Sequence, residues 1–322
     1  MKKMRLIFLS LVALLASYSL YAQQDAQLTQ YMYNGLFYNP ALAGAEGGTA
    51  FSVLHRSQWL GYSNNTSTAA TDPTTQVFNV SHALTGIKSG VGLSFVNDNQ
   101  GAASSIDFKL SFAHHIDLSQ GRLSIGVQAG FYSAALNFAE FQVVRPDPLV
   151  PATGRETQMN PDFGVGVWFD TDDYFVGLSS RHLVRQDFDF GTEGITNPLE
   201  NHAYLSAGYK INSFYNLEIV PSFLLKTVAL NNFSYDVSVI ATHKNKISGG
   251  VAYRSVESAS LLIGYSLLKD NSLKLGYAFD LVIAGQAAKE PTSHELMLTY
   301  RIPSKSASLG GRSVVRTPRF RF

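Results

Sequence analysis

Histidine and carboxylate side chains can act as catalysts or metal ligands, but their spacing in this 322-residue sequence argues against both roles. His114 and His115 are adjacent on a predicted strand, so their side chains point to opposite faces of a sheet and cannot share one site. His294 and Glu295 are adjacent in the same way. Pairs two residues apart would share a face, but these pairs fall at predicted turns or in a loop, where solvated side chains are expected: His115/Asp117, Asp170/Asp172 and Asp187/Asp189.

Nucleophilic catalysis has no better support in the sequence. The nucleophile motif G-x-S-x-G does not occur, and serine, histidine and aspartate are too numerous for a catalytic triad to be identified from the sequence. The sequence therefore predicts a protein that is not an enzyme and that holds no cofactor or metal ion.

The elements that carry these residues are predicted to be strands. Large apolar side chains at Leu273, Leu275, Tyr277 and Phe279 alternate with small or polar ones, which is a period of two. About fourteen segments follow this pattern: Ala50–Trp59, Gln76–Leu84, Ser89–Asn97, Ser104–Ile116, Arg122–Ala135, Pro161–Asp170, Asp173–His182, His202–Ile211, Leu217–Val228, Ser234–His243, Ile247–Arg254, Ala259–Leu268, Ser272–Asp280 and Glu295–Arg301.

The predicted connections favour a membrane barrel over a soluble β-sandwich. Every long connection belongs to the same alternate set: Leu60–Thr75, Leu136–Asn160, Leu183–Asn201 and Leu281–His294. Outer-membrane barrels have short periplasmic turns and longer extracellular loops, whereas a sandwich has no reason to place its long loops at one end. We therefore predict an all-β, transmembrane antiparallel β-barrel over residues 45–301, with both termini periplasmic. Inward-facing glycines, such as Gly92, Gly126 and Gly276, leave room for something to pack in the lumen.

Export is predicted by the first 22 residues. Basic residues precede an apolar run from Leu6 to about Leu20, which is typical of a signal peptide cleaved after Ala22. A non-cleaved anchor is the alternative, but the run is shorter than the ~20 residues that span a membrane. The leader carries three of the 25 Lys and Arg residues, so the mature chain has fewer of them than the 24 Asp and Glu residues. Nucleic acid is therefore not an expected partner. The absence of cysteine excludes disulfides and lipoprotein processing.

Two terminal segments lack the strand pattern. Residues 23–44 include a cluster of aromatic side chains, among them Tyr31, Tyr33 and Tyr38, ahead of a turn at Asn39-Pro40. They are expected either to lead into the first strand or to fold into the lumen or its periplasmic mouth. Arg56 and Trp59, which follow, are expected on the inner wall or at the interface.

Residues 302–322 form a basic tail without acidic residues, predicted to lie in the periplasm. The tail is either disordered or a docking peptide for a periplasmic partner. In the second case these residues would make the contacts: Arg312, Arg316, Arg319, Phe320, Arg321 and Phe322. The terminal Phe322 could instead be an assembly signal for the barrel.

Ordered motifs resemble one protein family. Residues Asp25–Asn34 and then Tyr38–Gly44 closely resemble the opening of the PorP/SprF family of the Bacteroidetes type IX secretion and gliding apparatus. Further matches follow in order along the chain: Arg56–Trp59, Pro73–Gln76, Gly90–Gly92, Asn97-Asp98, Pro161–Phe163, Pro221–Phe223, His243–Lys246, Gly276–Asp280 and Ser293–Glu295. The one mild departure is at Gly35 and Leu36, where the family often has apolar residues or proline.

The resemblance implies a non-enzymatic outer-membrane protein that supports export of a secreted adhesin-like partner and retains its C-terminal domain at the cell surface. Its other implied partners are periplasmic or outer-membrane secretion and gliding components, with membrane lipids around the barrel. The alternative function is a passive pore for small solutes. Small inward side chains suit a filled lumen, or one that receives a peptide, better than an open, charged channel.

Overall fold

The computed structural model describes residues 25–61, 72–140, 154–190, 196–213, 216–268, 270–285 and 289–302. Within these ranges the strands are β1 (Thr49–Ser57), β2 (Thr74–Leu84), β3 (Ser89–Gln100), β4 (Ala103–Leu118), β5 (Gly121–Asn137), β6 (Arg155–Asp170), β7 (Tyr174–Arg181), β8 (Gln186–Asp189), β9 (Thr196–Leu199), β10 (His202–Tyr209), β11 (Ile211–Ser213), β12 (Leu217–Val228), β13 (Asn232–His243), β14 (Ile247–Arg254), β15 (Ser258–Leu267), β16 (Leu273–Val282) and β17 (Thr292–Ile302).

All of these strands except β8 and β9 form one antiparallel sheet that closes on itself. β1 pairs with β2 on one side and with β17 on the other, where Thr49 lies opposite Ile302 and Ser57 opposite His294. β10 and β11 flank Lys210 and both pair with β12, so they are two parts of one strand. The wall therefore has fourteen strands, which confirms the predicted barrel. No helix in the described ranges is long and apolar enough to cross a membrane.

The two faces of the wall differ as the alternation requires. Leu110 and Val127 point outward and are 54% and 52% exposed, whereas their neighbours Lys109 and Gln128 point inward and are buried. An outward face of this kind is stable against lipid, where apolar side chains need no water and paired backbone groups need no other partner. The polar and charged residues of the strands therefore concentrate in the lumen.

The connections distinguish two rims of the barrel. One rim, here the short-turn rim, carries connections such as residues 85–88, 119–120 and 244–246. The opposite rim, here the long-loop rim, carries the connections over 58–73 and 182–201, among others. By the usual asymmetry of outer-membrane barrels, the long-loop rim faces the cell exterior.

Two predicted connections contain more strand than expected. β5 extends to Asn137 and β6 begins at Arg155, so the connection predicted over Leu136–Asn160 is shorter. The outward side chains near the start of β6 include polar ones, so pairing continues there without the apolar alternation that reveals a strand in sequence. β8 and β9 form a hairpin inside the predicted connection Leu183–Asn201, and their four-residue length gives little periodicity to detect. Trp59 lies beyond the end of β1.

Residues 25–48 run through the lumen and are here called the plug. They form short helical turns at Tyr31–Tyr33, Gly35–Tyr38 and Pro40–Leu42. Asp25 lies beside Arg181, near the long-loop rim, and Glu46 lies beside Arg301, near the short-turn rim. The barrel strands thus begin and end at the short-turn rim, while the first described residue of the chain lies near the opposite rim.

Two predicted features lie outside the described residues. They are the signal peptide over 1–22 and most of the basic tail, including its proposed docking residues Arg312 to Phe322.

Candidate functional site

Glycines in the wall allow the plug backbone to approach closely. A Cβ atom on Gly126 would lie 2.3 Å from the Ala41 nitrogen, and one on Gly90 would lie 2.2 Å from the Ala43 oxygen. Both distances are far below contact distance and involve backbone atoms that cannot move aside easily. Other inward-facing glycines, Gly92 and Gly276 among them, lie under plug side chains in the same way. The small residues noted in the sequence therefore shape the lumen around this segment.

The wall carboxylate Glu295 binds the backbone of the plug. Its two oxygens accept hydrogen bonds from consecutive plug amides, those of Thr29 and Gln30, each at 2.8 Å. Glu295 is fully buried, and its oxygen also lies 3.2 Å from Arg56 Nη1. A buried ionised acceptor makes stronger bonds than a neutral one. Because both bonds are made to main-chain amides, they depend on the conformation of the plug backbone and not on which side chains the plug carries.

Four further wall side chains also bind plug main-chain atoms. Ser179 Oγ donates to the Tyr38 oxygen (2.7 Å), His115 Nε2 donates to the Ala43 oxygen (3.0 Å), Arg122 Nη2 donates to the Ala45 oxygen (3.0 Å), and Ser81 Oγ accepts from the Gly44 nitrogen (2.7 Å). These groups follow the plug from its middle to the short-turn rim. Because the plug forms no ladder with the wall strands, such side-chain contacts satisfy backbone groups that a strand would pair with its neighbours.

The Asn39-Pro40 motif creates a turn that fits the wall. The Asn39 side chain accepts a hydrogen bond from the Ala41 nitrogen (2.9 Å) and so caps the turn that Pro40 opens. Its amide nitrogen donates to the oxygen of Val167 in β6 (3.0 Å). The side chain rests directly above Gly166, where a Cβ would lie 2.0 Å from its oxygen.

The aromatic plug residues fill the centre of the lumen. The Tyr31 hydroxyl lies 2.9 Å from Ser222 Oγ, and burial raises its pKa to about 12, so it stays protonated. The Tyr33 ring lies 3.6 Å from the Lys274 nitrogen, a cation–π distance. Tyr38 packs edge-on against Tyr204 at 5.3 Å. Tyr31, Tyr33 and Tyr38 therefore all contact residues of the wall inside the lumen.

Asp25 anchors the plug in a cluster of basic side chains. Its carboxylate lies 3.0 Å from Arg181 Nη1, 3.0 Å from His182 Nε2 and 3.1 Å from His202 Nδ1, and it accepts a 2.5 Å hydrogen bond from Tyr204. Burial alone would raise the pKa of Asp25, but Arg181, His202 and His182 hold it well below its usual range. The carboxylate is therefore ionised and paired inside the barrel.

Within the described ranges, Asp25, His182 and His202 form the one group of three side chains that could ligate a metal ion. Their surroundings do not suit a metal. His182 lies between two carboxylates, with Nδ1 2.7 Å from Asp162, so both its nitrogens face anions and neither offers a lone pair. The Arg181 guanidinium already occupies the open side of Asp25. The group is an ion-pair cluster that holds the plug.

Further buried ion pairs extend around this half of the lumen. Arg56 Nη1 lies 2.7 Å from Asp280, and the Thr29 hydroxyl of the plug donates to the same carboxylate (2.7 Å). Lys226 and Arg254 both contact Asp236, and Lys226 also donates to Gln27 of the plug. We call these wall ion pairs, with the Asp25 cluster, the charge layer. Removing one partner from such a pair leaves a buried charge uncompensated.

An aromatic cavity of about 490 Å³ opens at the long-loop rim and is here called the outer cavity. Its lining includes Tyr132, Phe138, Phe188 and Phe190, with polar groups on the facing strands. Tyr132 stacks edge-on against His182 at 5.5 Å, so the cavity floor contacts the charge layer. This volume is in the range of ligand-sized pockets.

Sequence reasoning placed few of these residues. Arg56 lies on the inner wall and Trp59 near the long-loop rim, where its backbone nitrogen donates to Ser293 Oγ (3.0 Å). Asp25 and Glu295 were not anticipated as anchors. The sequence of β4 did contain a signal for a charged inner wall. Asp107 and Lys109 are two residues apart, on the same inward face as Ser111.

Comparison with known families now identifies the chain. The family described as "Type IX secretion system membrane protein PorP/SprF" matches residues 20–300. The chain belongs to the PorP/SprF family. This PorP/SprF protein is accordingly an outer-membrane β-barrel of the type IX secretion system. Comparison with curated protein sequences gives no match.

Solved structures similar to this PorP/SprF protein are outer-membrane barrels. A FadL homologue of Pseudomonas aeruginosa is 13% identical, with a TM-score of 0.50 covering 84% of this chain and 94% of that one. The monoaromatic hydrocarbon channel CymD is 10% identical, with a TM-score of 0.51 covering 84% of this chain and 93% of that one. At these identities the likeness concerns the fold.

Proposed function

We propose that this PorP/SprF barrel is a non-enzymatic component of the type IX system that supports export of a secreted adhesin-like partner and retains its C-terminal domain at the cell surface. Its site of contact is the long-loop rim around the outer cavity. Periplasmic secretion or gliding components are further partners, engaged from the short-turn side. The family supports the secretion role.

The observation that carries this proposal is the filled lumen. The plug occupies the barrel from Asp25 to Glu46 and is fastened by an ion pair at each end, buried at Asp25 and half-buried at Glu46. A passive pore needs a continuous aqueous path, and a lumen occupied in this way disfavours one. While the plug is in place, a partner can bind at the rims, where loops on a rigid scaffold usually bind.

The outer cavity is such a surface on the exterior side. Aromatic side chains in a concave, partly apolar site are typical anchors for a protein partner. Ala103 lines this cavity at the start of β4 and is exposed, whereas the adjacent Ala102 does not line it. Replacing Ala103 therefore changes the cavity, whereas replacing Ala102 leaves it unchanged.

The test compares Ala103→Trp with the matched control Ala102→Trp. Affinity-tagged barrels are purified from detergent-solubilised outer membranes, co-purifying proteins are identified by mass spectrometry, and the partner is quantified on intact cells. We expect Ala103→Trp to reduce surface retention at least about fivefold by filling the cavity, and Ala102→Trp to leave retention unchanged. Equal retention in both variants would remove the outer cavity from the site, and recovery of no secreted protein with the parent would refute the proposed function.

Deletion of residues 142–153 probes the same rim. It should abolish retention while the protein still runs as an assembled, heat-modifiable barrel on gels. Normal retention in this variant would exclude that loop from the contact.

A further inference from the structure

The lumen wall binds the plug as a peptide-binding protein binds a ligand. Glu295, Ser179, His115, Arg122 and Ser81 each contact main-chain atoms of the plug at 3.0 Å or less. Main-chain contacts recognise a polypeptide in a given conformation, whatever side chains it carries. The plug is covalently joined to the barrel only where it enters β1.

The charge layer adds a requirement at one end of this channel. Arg181, His182 and His202 surround one carboxylate, that of Asp25, on the side of the long-loop rim. Any segment that replaced the plug would have to bring a carboxylate to this place. Asp107 and Asp162 would remain beside Arg181 and His182, but both also pair with Lys109, so without a third carboxylate the buried cluster would hold more cations than anions.

The wall also retains hydrogen-bonding capacity that the plug does not use. Among the described residues, Arg56 Nε is buried and no protein group accepts a hydrogen bond from it. Unused buried polar groups lower the stability of a closed network. A segment with a polar side chain at this level would satisfy this nitrogen.

We propose that the lumen is a binding channel for an irregular polypeptide segment, that residues 25–48 are its resident occupant, and that an acidic segment of the secreted partner takes their place from the long-loop side. This rests on the proposed function for the identity of the partner. The outer cavity, whose Tyr132 contacts His182, is the entrance to the channel. The displaced plug remains tethered at Thr49 and moves toward the short-turn rim.

The first experiment tests the channel without any partner. A protease recognition sequence is inserted after Gly47, which is exposed and has open space around it. Cutting the assembled, full-length barrel turns the plug into a separate peptide and removes the high effective concentration of a tethered ligand. The probe is a fluorescein-labelled synthetic peptide with the sequence of residues 25–46.

We expect this peptide to exchange into the cut barrel and to bind saturably. A peptide carrying Asp25→Lys should bind at least about 100-fold more weakly, since it places a cation among basic groups. A peptide carrying Tyr31→Phe should bind within about fivefold, because the main-chain contacts remain. Absence of exchange, or equal binding of a scrambled peptide, would overturn the channel.

The second experiment tests replacement by the partner, using a locked plug. A Cβ on Gly92 would lie 3.3 Å from the Ala43 Cβ, close to the ~3.5–4.5 Å that a disulfide requires. The chain has no cysteine of its own, so Ala43→Cys with Gly92→Cys forms one defined cross-link between plug and wall. Each single variant is the matched control.

Oxidation of the double variant should abolish partner retention, and reduction should restore it. Both single variants should retain the partner normally. Normal retention by the oxidised double variant would overturn replacement of the plug while leaving retention at the rim, and thus the proposed function, intact. Failure of the parent protein to retain a partner would instead refute the proposed function, whatever the result of the peptide exchange.

Discussion

Glu295→Ala is expected to open the plug without opening the barrel. In the parent protein, Glu295 accepts the amide bonds of Thr29 and Gln30 and also contacts Arg56. The substitution leaves both plug amides without their acceptor, while Arg56 keeps its 2.7 Å contact with Asp280. The wall strand itself loses no ladder hydrogen bond.

The size of the effect follows from the two lost bonds. A hydrogen bond to a charged group contributes about 1.5–3 kcal/mol, so two at the lower value give about 3 kcal/mol. Because about 1.4 kcal/mol corresponds to a tenfold change in an equilibrium constant, the open fraction should rise about 100-fold. The contact between Glu295 and Arg56 is left out of this figure, since it can persist when the plug of the parent protein opens.

The assay is labelling of Ala26→Cys, near the end of the plug, by a large polyethylene-glycol maleimide. Ala26 is 9% exposed, and the chain contains no other thiol. Labelling proceeds through the open state, so its rate should rise about 100-fold in the Glu295→Ala background. Glu200→Ala is the matched control, because Glu200 pairs at the rim with the exposed Arg185, and ion pairs open to water contribute little. A change below about threefold with Glu295→Ala would refute the view that this carboxylate anchors the plug.

Three other perturbations test the same structure. Gly126→Val should displace the plug backbone and raise single-channel conductance in planar bilayers. Gly86 faces open space, so the control Gly86→Val should leave the barrel closed. If the parent protein conducts as well as the Gly126 variant, the result would favour the passive pore. Burial alone would lower the pKa of His182, but neighbouring carboxylates raise it to about 9, so its stabilisation of the plug is complete below about pH 6.5 and is lost as the pH rises through about 9. Labelling of Ala26→Cys, corrected for intrinsic thiol reactivity, should therefore increase between these values, and a flat profile would contradict the pairing. A chain ending at Ser304 should assemble in the outer membrane but lose a periplasmic partner in pull-downs; failure to reach the membrane would show that the terminal residues are an assembly signal.

The strand pattern and the family could be established from the sequence, because both depend on the order of residues within short segments. Side chains alternate across a strand, and a barrel in lipid must present apolar residues on one face along every strand. The alternation in β4 and β5 therefore predicted their faces correctly. It missed the hairpin of β8 and β9, where four residues per strand carry too little periodicity, and the start of β6, where polar side chains face outward.

The internal site was decided by the tertiary structure. Asp25 and Glu295 are far apart in the chain, and each is an ordinary carboxylate in sequence; barrel closure brings both into the lumen, where pairing with basic side chains replaces their hydration. The glycines near Gly126 indicated an occupied lumen, but only the fold showed which segment lies against them. The sequence also did not show in which direction the plug runs between the two rims, since this depends on which rim holds the basic groups that pair with Asp25. Local alternation thus determined the wall, and long-range charge pairing determined what fills it.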